Sequence, residues 1–252
     1  MPNARVVEIW RYPVKSMLGE QIQEANAGPG GIQGDRQWAV VDAQSGVSLS
    51  AKRYPDLLRC RAWTSDGTVM VKLPDNRELP VDSEDTRHGL CELLGRQVTT
   101  RSADTVEKIQ HEFPTAVTEG AGDPFLYEPK TEAFVDCAPL QLITTATLKK
   151  LQQLLPNSAI HRARFRPNFL VDIDEADFVE NEWVNREISL GSLKCHVYDD
   201  TRRCIMVALA QSDLPRDMQV IRTILRENKA RAGVALKALG SALVREGATV
   251  GL

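Results

Sequence analysis

Short runs of apolar residues follow one another along the chain, and turn residues separate them. This pattern is typical of short β-strands, and few stretches show the 3.6-residue period of an amphipathic helix. Runs that predict strands cover residues 5–12, 37–42, 47–50, 69–73, 140–143, 165–173 and 187–198, and a further strand is expected after residue 204. We therefore expect a mainly β, barrel-like fold with a few short helices.

Helical spacing of apolar residues appears in three segments, residues 84–94, 146–155 and 215–227. Each segment is long enough for about three turns of amphipathic helix. The first stops at Gly95, a residue that commonly follows the end of a helix. In the third we expect Ile221, Ile224 and Leu225 to point inward.

The apolar pattern gives way to Thr, Glu, Gly and Pro between residues 101 and 130. A long stretch of this composition predicts a linker or a long loop with a domain boundary inside it. We therefore divide the chain into an N-terminal β-rich domain over residues 1–122 and a second domain over residues 123–252.

The composition is that of an ordinary globular protein, with 42% of the 252 residues hydrophobic, 26% charged and a formal net charge of −3. That charge gives no general reason to expect nucleic acid or an anionic membrane as a partner. No run approaches the roughly 18 apolar residues of a membrane-spanning helix, and the first residues lack the apolar core of a signal peptide. We expect a cytoplasmic protein in which any anion site is a local cluster of basic residues.

The cysteines are five in number: Cys60, Cys91, Cys137, Cys195 and Cys204. An odd number in an intracellular protein indicates free thiols. No two cysteines have the spacing of a zinc site, and no four have the spacing of an iron–sulfur cluster. The histidines are isolated in the sequence, which disfavours a zinc hydrolase.

Cys204 carries the strongest local signal for chemistry. A predicted strand ends at residues 199–201, Asp-Asp-Thr, and Arg202 and Arg203 then lead directly to Cys204 and a following strand. Adjacent positive charge favours the thiolate, the form of cysteine that binds metal or attacks an electrophile. A thiolate suits a soft or sulfur-rich metal centre. The alternative interpretation is a small buried hydrophobic residue near a charged turn.

A second basic segment contains Arg162, Arg164 and Arg166. If this segment is extended, the three side chains share one face, and aligned guanidinium groups make a strong site for phosphate or a similar anion. The alternative is a solvated basic edge that pairs with the nearby acidic residues of segment 172–177.

Five further residues stand where loops meet strands or helices. Thr144 and Thr145 lie at a strand-to-helix junction, where free N–H groups attract phosphate, although helix capping alone explains threonine there. Lys15, Ser16 and Arg36 lie in loops next to predicted strands. Such loop residues usually face solvent, so none of them alone indicates a site.

Several motifs, in their order along the chain, resemble the MOSC family. Residues 12–16, Tyr-Pro-Val-Lys-Ser, and residues 34–38, Gly-Asp-Arg-Gln-Trp, resemble the N-terminal β-barrel domain that precedes MOSC domains. Motifs that resemble the MOSC domain itself lie at residues 134–136, 139–144, 164–168 and 203–204. The resemblance covers nearly the whole chain and implies that a MOSC N-terminal β-barrel domain precedes a MOSC β-barrel domain.

The motifs are similar to those of mitochondrial amidoxime-reducing components and their bacterial counterparts, which hold molybdenum on a pterin dithiolene and reduce N-hydroxylated compounds. The resemblance therefore implies a molybdenum-cofactor-dependent oxidoreductase in which Cys204 is the catalytic residue and metal ligand. It implies contacts to the pterin or its phosphate from Lys15, Ser16, Arg36, Thr144, Thr145, Arg166, Asn168, Arg202 and Arg203. This chain differs from the reducing relatives at Ala235, where they have an aromatic residue.

The resemblance also implies the partners: a small N-oxygenated substrate and a separate electron-donor protein, a small redox protein with its reductase. The sequence itself has neither iron–sulfur spacing nor a dinucleotide-binding fingerprint. Neither nucleic acid nor a membrane is expected. The main alternative is a non-catalytic carrier of the cofactor or of sulfur, because MOSC domains also end cofactor sulfurases. A third, an anion- or nucleic-acid-binding module built on Arg162, Arg164 and Arg166, is disfavoured by the net charge.

Overall fold

The computed structural model describes residues 4–116, 120–129 and 131–252. The α-helices of this part are α1 (Glu84–Leu94), α2 (Thr145–Leu154) and α3 (Met218–Asn228). The strands are β1 (Arg5–Arg11), β2 (Glu20–Ile22), β3 (Glu24–Gly28), β4 (Gly31–Ile32), β5 (Trp38–Asp42), β6 (Arg61–Ser65), β7 (Thr68–Lys72), β8 (Glu78–Pro80), β9 (Val98–Ser102), β10 (His111–Ala116), β11 (Ala121–Tyr127), β12 (Leu140–Thr144), β13 (Phe169–Asp172), β14 (Glu187–Leu190), β15 (Leu193–Arg202), β16 (Arg231–Ala238), β17 (Ala242–Arg245) and β18 (Val250–Gly251).

The largest sheet has eight strands in the order β18-β14-β15-β16-β12-β13-β1-β2. Its strands are antiparallel except for the parallel pair β12 and β13. The sheet curls back on itself, because the N–H of Val6 donates to the carbonyl of Ala248 at 2.9 Å and the N–H of Val250 donates to the carbonyl of Ala4 at 2.9 Å. A hydrophobic core packs along this sheet and includes the buried side chains of Ile9, Leu142, Phe169, Trp183 and Leu236.

Smaller sheets, in the orders β6-β7-β8, β5-β9, β10-β11 and β17-β3-β4, complete the fold. A second core joins buried residues from the two ends of the sequence, among them Val14, Leu57, Leu90, Ile205 and Ile224. The two ends of the sequence also share sheets. Strands β1 and β2, from the start of the sequence, lie in the large sheet, and β17, from the end, pairs with β3. The predicted mainly β fold is confirmed, whereas the domain boundary between residues 122 and 123 stays a prediction.

Residues 101–130 do not form the predicted linker, and that prediction is wrong. Strands β10 and β11 of this segment pair as an antiparallel hairpin, in which His111 lies opposite Tyr127 and Phe113 lies opposite Phe125. Residues 117–119 and 130 of the segment lie outside the described residues. The prediction failed because Thr, Glu, Gly and Pro dominate the composition and hide an alternation of aromatic rings with the period of a strand.

The predicted geometry of both basic segments is also wrong. Arg162–Arg164 forms a 3₁₀ helix, and Arg166 adopts a left-handed backbone with φ 51°, so the three arginines do not line one face of a strand. Strand β15 continues through Arg202 instead of turning at residues 199–201. Cys204 then precedes the 3₁₀ helix Ile205–Ala208, where a strand was expected.

Local signals place the helices well. Helix α1 has the predicted bounds, because the Ser83 hydroxyl accepts a hydrogen bond from the N–H of Thr86 at its start and Gly95 takes φ 63° at its end. In α3, Ile221 and Ile224 are buried as predicted, but Leu225 is 53% exposed. In the described part of the chain, no helix has the length and apolar character needed to cross a membrane.

Candidate functional site

A cavity of about 550 Å³ opens where loops from both halves of the sequence meet the end of β15. Its wall includes the loops that follow β1 and β5 and the loops that precede β5, β12 and β13. The hairpin of β10 and β11 completes the wall. Of the residues predicted as ligands, those that line this cavity are Lys15, Ser16, Arg36, Arg166, Arg202, Arg203 and Cys204. The structure thus brings together residues that are far apart in the sequence.

Cys204 lies two residues after the end of β15 and is partly exposed. Cys137 lines the same cavity, and burial of its thiol, together with the charge of Asp136, raises the pKa of Cys137. Across the described residues, no group of three or more His, Cys, Asp or Glu side chains is arranged to hold a metal ion.

Arg203 is buried beside Cys204 and is held by backbone carbonyl groups. Its Nε donates to the carbonyl of Ala232 at 2.7 Å, and its Nη1 donates to the carbonyl of Phe165 at 2.8 Å. Its Nη2 is buried and has no hydrogen-bond partner among the described residues. Burial lowers the pKa of Arg203 to about 10, which leaves the group charged at neutral pH. Arg203 thus adds a fixed positive charge to the cavity wall.

Hydroxyl groups add polar contacts to the cavity wall. Thr201 is buried, and its Oγ1 lacks a hydrogen-bond partner within the described part of the chain. The Oγ of Ser16 accepts a hydrogen bond from the N–H of Ala51 at 3.0 Å, which leaves its own O–H free to donate. Arg202 is exposed. The cavity therefore carries Thr201 as a second buried polar group without a described partner.

Lys15, Lys52 and Asp136 form an ion-pair cluster on the cavity wall. Both lysines are buried; Lys15 pairs with Oδ1 of Asp136, and the Nζ of Lys52 lies 2.8 Å from Oδ2. Burial lowers the pKa of Lys15, whereas the charges of Asp136 and Cys204 outweigh burial at Lys52 and raise its pKa. Burial works against ionisation of Asp136 too, but the two ammonium groups hold its pKa well below the usual range. With two cations and one carboxylate, the cluster favours anions.

Arg36 and Arg166 both pack against the ring of Tyr12, with guanidinium carbons 4.7 Å and 4.3 Å from its centroid. The Nη1 of Arg166 donates to the carbonyl of Met17 at 2.6 Å, and Arg36 pairs with Asp35. Burial lowers the pKa of Arg166 to about 10. These contacts fix the two guanidinium groups, with part of each on the cavity wall.

Three predicted ligands lie away from the cavity wall. Two of them, Thr144 and Thr145, stabilise the start of α2. Thr144 caps the helix by accepting a hydrogen bond from the N–H of Thr147 at 3.1 Å and donates to Glu180 at 2.7 Å. Thr145 donates to Asp172 at 2.8 Å. Capping therefore accounts for the hydroxyl group of Thr144, and hydrogen bonds to Asp172 and to the backbone of Ile173 account for that of Thr145.

Asn168, the third, connects two neighbouring segments of backbone. Its Oδ1 accepts from the N–H of Gln141 at 3.1 Å, and its Nδ2 donates to the carbonyl of Trp10 at 3.2 Å. Gln141 lies in β12 and Trp10 lies in β1, so Asn168 joins these two strands. Asn168 thus positions the strands beneath the cavity.

The other two arginines of the second basic segment have protein partners. Arg164 is almost fully buried, and its guanidinium group donates to the carbonyls of Ala159, Val207, Leu209 and Pro215. Arg162 pairs with Glu8 and lies 3.3 Å above the ring of Trp10. The anion- or nucleic-acid-binding module expected from three aligned arginines loses its geometric basis.

Sequence reasoning missed Lys52, Asp136 and the aromatic residues of the β10–β11 hairpin. Lys52 is a lone loop lysine, so its sequence neighbourhood carries no signal. Asp136 ends the Phe-Val-Asp motif at residues 134–136, which carries part of the family resemblance but does not by itself indicate a role for the carboxylate. The aromatic residues could have been found from their alternation along a strand.

Comparison with known proteins gives distant relatives. The chain is 25% identical to the molybdenum cofactor sulfurase of Bos taurus, over 92% of this chain and 30% of that protein. It is also 25% identical to mitochondrial amidoxime-reducing component 1 of Homo sapiens, over 81% of this chain and 66% of that protein. The chain thus spans about a third of the length of the sulfurase and just under two thirds of the amidoxime-reducing component.

Among solved structures, the YuaD protein of Bacillus subtilis has a similar fold, with a TM-score of 0.51 and 10% identity over 98% of this chain and 93% of that one. At the level of families, residues 3–118 match the MOSC N-terminal beta barrel domain, and residues 129–251 match the MOSC domain. The matched stretches cover nearly the whole sequence, and the chain belongs to the MOSC family, as a MOSC domain preceded by its N-terminal β-barrel domain.

Proposed function

We propose that this protein binds the molybdenum cofactor as an oxidoreductase and that Cys204 is the protein ligand to the metal. The observation that carries the proposal is one shared cavity that is lined by both Cys204 and the buried Arg203, whose Nη2 has no partner among the described residues. A thiolate suits a metal with sulfur ligands, and a buried guanidinium suits a phosphate.

The other residues of the cavity wall fit an anionic pterin. Lys15 and Lys52 place ammonium groups at the wall, Arg36 and Arg166 add guanidinium groups, and Thr201 offers a hydroxyl group that lacks a described partner. When bound, the cofactor would supply two-electron oxygen-atom transfer. The chain would hold its phosphate and pterin through these groups and would complete the sulfur ligation through Cys204.

For the reaction we propose reduction of N-oxygenated compounds, on the basis of the similarity to amidoxime-reducing components. Reduction of an N-hydroxylated amidine consumes two electrons and two protons, breaks the N–O bond and releases the amidine and water. We propose that a separate redox protein with its reductase delivers the electrons, in the weak and transient contact usual for electron transfer.

The second candidate is a carrier that holds the cofactor or a sulfur atom and passes it on. It is favoured by the similarity to molybdenum cofactor sulfurases, which extends over 92% of this chain. A carrier needs the same cavity and the same cysteine but does not need turnover. Metal content therefore tests binding, and turnover separates the two candidates.

The test of binding is the molybdenum content of the chain purified from a host that makes the cofactor. We expect wild type to carry molybdenum and pterin, and Cys204→Ser to lose its visible absorption and most of its metal, because a hydroxyl is a poor substitute for thiolate. Cys137→Ser is the matched control, since Cys137 lines the same cavity. Equal metal content and an unchanged spectrum in Cys204→Ser would refute the assignment.

Turnover is tested with an N-hydroxylated amidine and three donors: NADH alone, reduced viologen, and a small redox protein with its reductase. We expect the purified chain to turn over with the last two and not with NADH alone. Sustained turnover with NADH alone would contradict the need for a separate donor. A molybdenum-loaded chain that stays inactive with viologen would favour the carrier.

A further inference from the structure

The β10–β11 hairpin has two chemically different faces. Its register pairs His111 with Tyr127 and Phe113 with Phe125, so these rings share one face of the hairpin. On the other face, Glu112 lies opposite Leu126. One face of this hairpin is therefore aromatic.

Phe113, Phe125 and Tyr127, here called the aromatic wall, line the same cavity as Cys204. The ring centroid of Phe113 lies 5.9 Å from that of Phe125 and 5.8 Å from that of Tyr127, the spacing of stacked or tilted aromatic pairs. Phe113 is buried in the middle, while Phe125 and Tyr127 are 45% and 41% exposed. Two large aromatic surfaces are thus open to the cavity.

The neighbouring residues hold the aromatic wall in place. The Nζ of Lys52 lies 3.5 Å from the ring centroid of Phe113 and also pairs with Asp136, so the ring is fixed to the ion-pair cluster. The ring of His111 lies 6.0 Å from that of Phe113 and is held by Ser48 and by the carbonyl of Val135. Phe113 and His111 therefore form a fixed base against which the exposed rings of Phe125 and Tyr127 lie, and an exposed aromatic surface on such a base is suited to a planar apolar ligand.

We propose that the aromatic wall is a substrate subsite that selects N-oxygenated compounds bearing an aromatic ring. The ring stacks on Phe125 and Tyr127, and the N–O group extends toward Cys204 on the polar part of the wall. The direction of the N–O group toward Cys204 rests on the proposed function, whereas binding of the ring by the hairpin does not. A cavity of about 550 Å³ lies within the usual size range of small-molecule sites.

Ring binding is measured first, without any reductant, by calorimetry and saturation-transfer NMR on the full chain as purified. The probes are N-hydroxybenzamidine and its aliphatic analogue N-hydroxyacetamidine. We expect N-hydroxybenzamidine to bind about tenfold more tightly, because stacking between aromatic rings and burial of ring area both favour it. The double variant Phe125→Ala/Tyr127→Ala should abolish that preference. Leu126→Ala is the matched control, because Leu126 lies on the opposite face of the same strand and is 59% exposed.

Viologen-driven turnover is measured next, as the KM and kcat for each probe. We expect the double variant to raise the KM for N-hydroxybenzamidine about tenfold and to leave the kinetics of N-hydroxyacetamidine unchanged. Equal affinity of wild type for both probes, or loss of the preference in Leu126→Ala, would overturn the subsite. A third outcome is ring binding that depends on the aromatic wall without turnover in the wild type or in any variant. In that case the subsite stands and the proposed reductase activity fails.

Discussion

Gly233 leaves the space into which the guanidinium group of Arg203 fits: a Cβ atom at position 233 would lie 3.0 Å from Nη2 of Arg203 and 2.6 Å from the carbonyl oxygen of Leu142. The backbone at Gly233 has φ +82°, and its N–H donates to Oε1 of Glu180 at 3.1 Å. The buried carboxyl group thus holds the glycine, and the glycine makes room for the arginine. Burial raises the pKa of Glu180 in spite of hydrogen bonds from Thr144, Thr147 and this N–H.

The first prediction concerns Gly233→Ala. We expect a loss of at least about 1–2 kcal/mol in the free energy of unfolding, because a residue with a Cβ is strained at this φ and meets the Leu142 carbonyl. Molybdenum content should fall as well, since Nη2 of Arg203 is displaced. Urea unfolding and metal analysis measure the two effects. Gly240→Ala is the control, because a Cβ there has open space within 4 Å; an equal loss in both variants would contradict the argument.

Arg203→Ala should separate the structural from the ligand-binding contacts of this side chain. Two carbonyls lose their donor, which costs about 1–3 kcal/mol of unfolding free energy, and retention of the cofactor falls roughly ten- to a hundredfold with the loss of a charged hydrogen bond. Arg202→Ala serves as the comparison, because Arg202 is exposed and should change both quantities much less. Full molybdenum occupancy in folded Arg203→Ala would count against an anion site at Nη2.

Thr201→Val is expected to change stability and cofactor binding in opposite directions. Valine removes a buried hydroxyl that has no partner among the described residues, so the cofactor-free protein should gain up to about 1 kcal/mol of unfolding free energy. Its molybdenum content should nevertheless fall. Thr100→Val is the matched contrast, because Thr100 donates to the carbonyl of Val81 at 2.9 Å and its replacement should destabilise the protein. A destabilised Thr201→Val would show that its hydroxyl has a partner in solution.

His111 predicts a pH dependence of stability. Burial, and then the charge of Lys15, lowers its pKa to about 3 in the folded protein, from an ordinary value near 6.5. Below pH 6.5 the unfolded chain therefore binds a proton at this residue that the folded chain does not. As the pH is lowered from 6.5, the free energy of unfolding falls by about 1.4 kcal/mol per pH unit. Above pH 6.5 this residue contributes no slope.

The measurement is urea unfolding of wild type and His111→Gln between pH 7.5 and about 5, because below about pH 5 protonation of Asp136 in the unfolded chain also lowers the stability. His111→Gln should be less stable at neutral pH, because hydrogen bonds with Ser48 and Val135 are changed. The difference between the two proteins should shrink as the pH falls. Parallel curves throughout the range would rule out His111 as the source of the slope.

The parts of the fold that depend on local signals were predictable from the sequence. Helix α1 was placed with its correct bounds because a capping serine and a terminal glycine act within one turn. The Cys204 region was identified because two arginines precede it directly, although the course of the chain there was not. Strand β15 continues through Asp199 and Asp200 because it pairs with β16, and that partner lies beyond the reach of local patterns.

The rest of the candidate site depends on contacts between distant residues. Lys15 meets Asp136 across 121 positions and Lys52 meets it across 84, so neither pair leaves a periodic trace in the sequence. At Thr144 the sequence carries a signal, but the signal is ambiguous, because a threonine before a helix suits both a cap and an anion site. Only the contact with Glu180 shows where the hydroxyl points. Resemblance to a family supplied candidates that spacing alone could not.

The exchange of strands between the two ends of the chain has a consequence for biosynthesis. Glu24 in β3 and Arg245 in β17 are paired across 221 positions, so β3 emerges from the ribosome long before its partner. At about 5–20 residues per second, translation leaves this strand edge open for on the order of 10–40 s. The nascent chain therefore carries one unpaired edge of β3 until residues 242–245 have been synthesised, and an unpaired strand edge is prone to aggregation. Because the cavity wall extends from Lys15 to Val207, it cannot close before residue 207 has been synthesised, and a prosthetic group can be inserted only after that point.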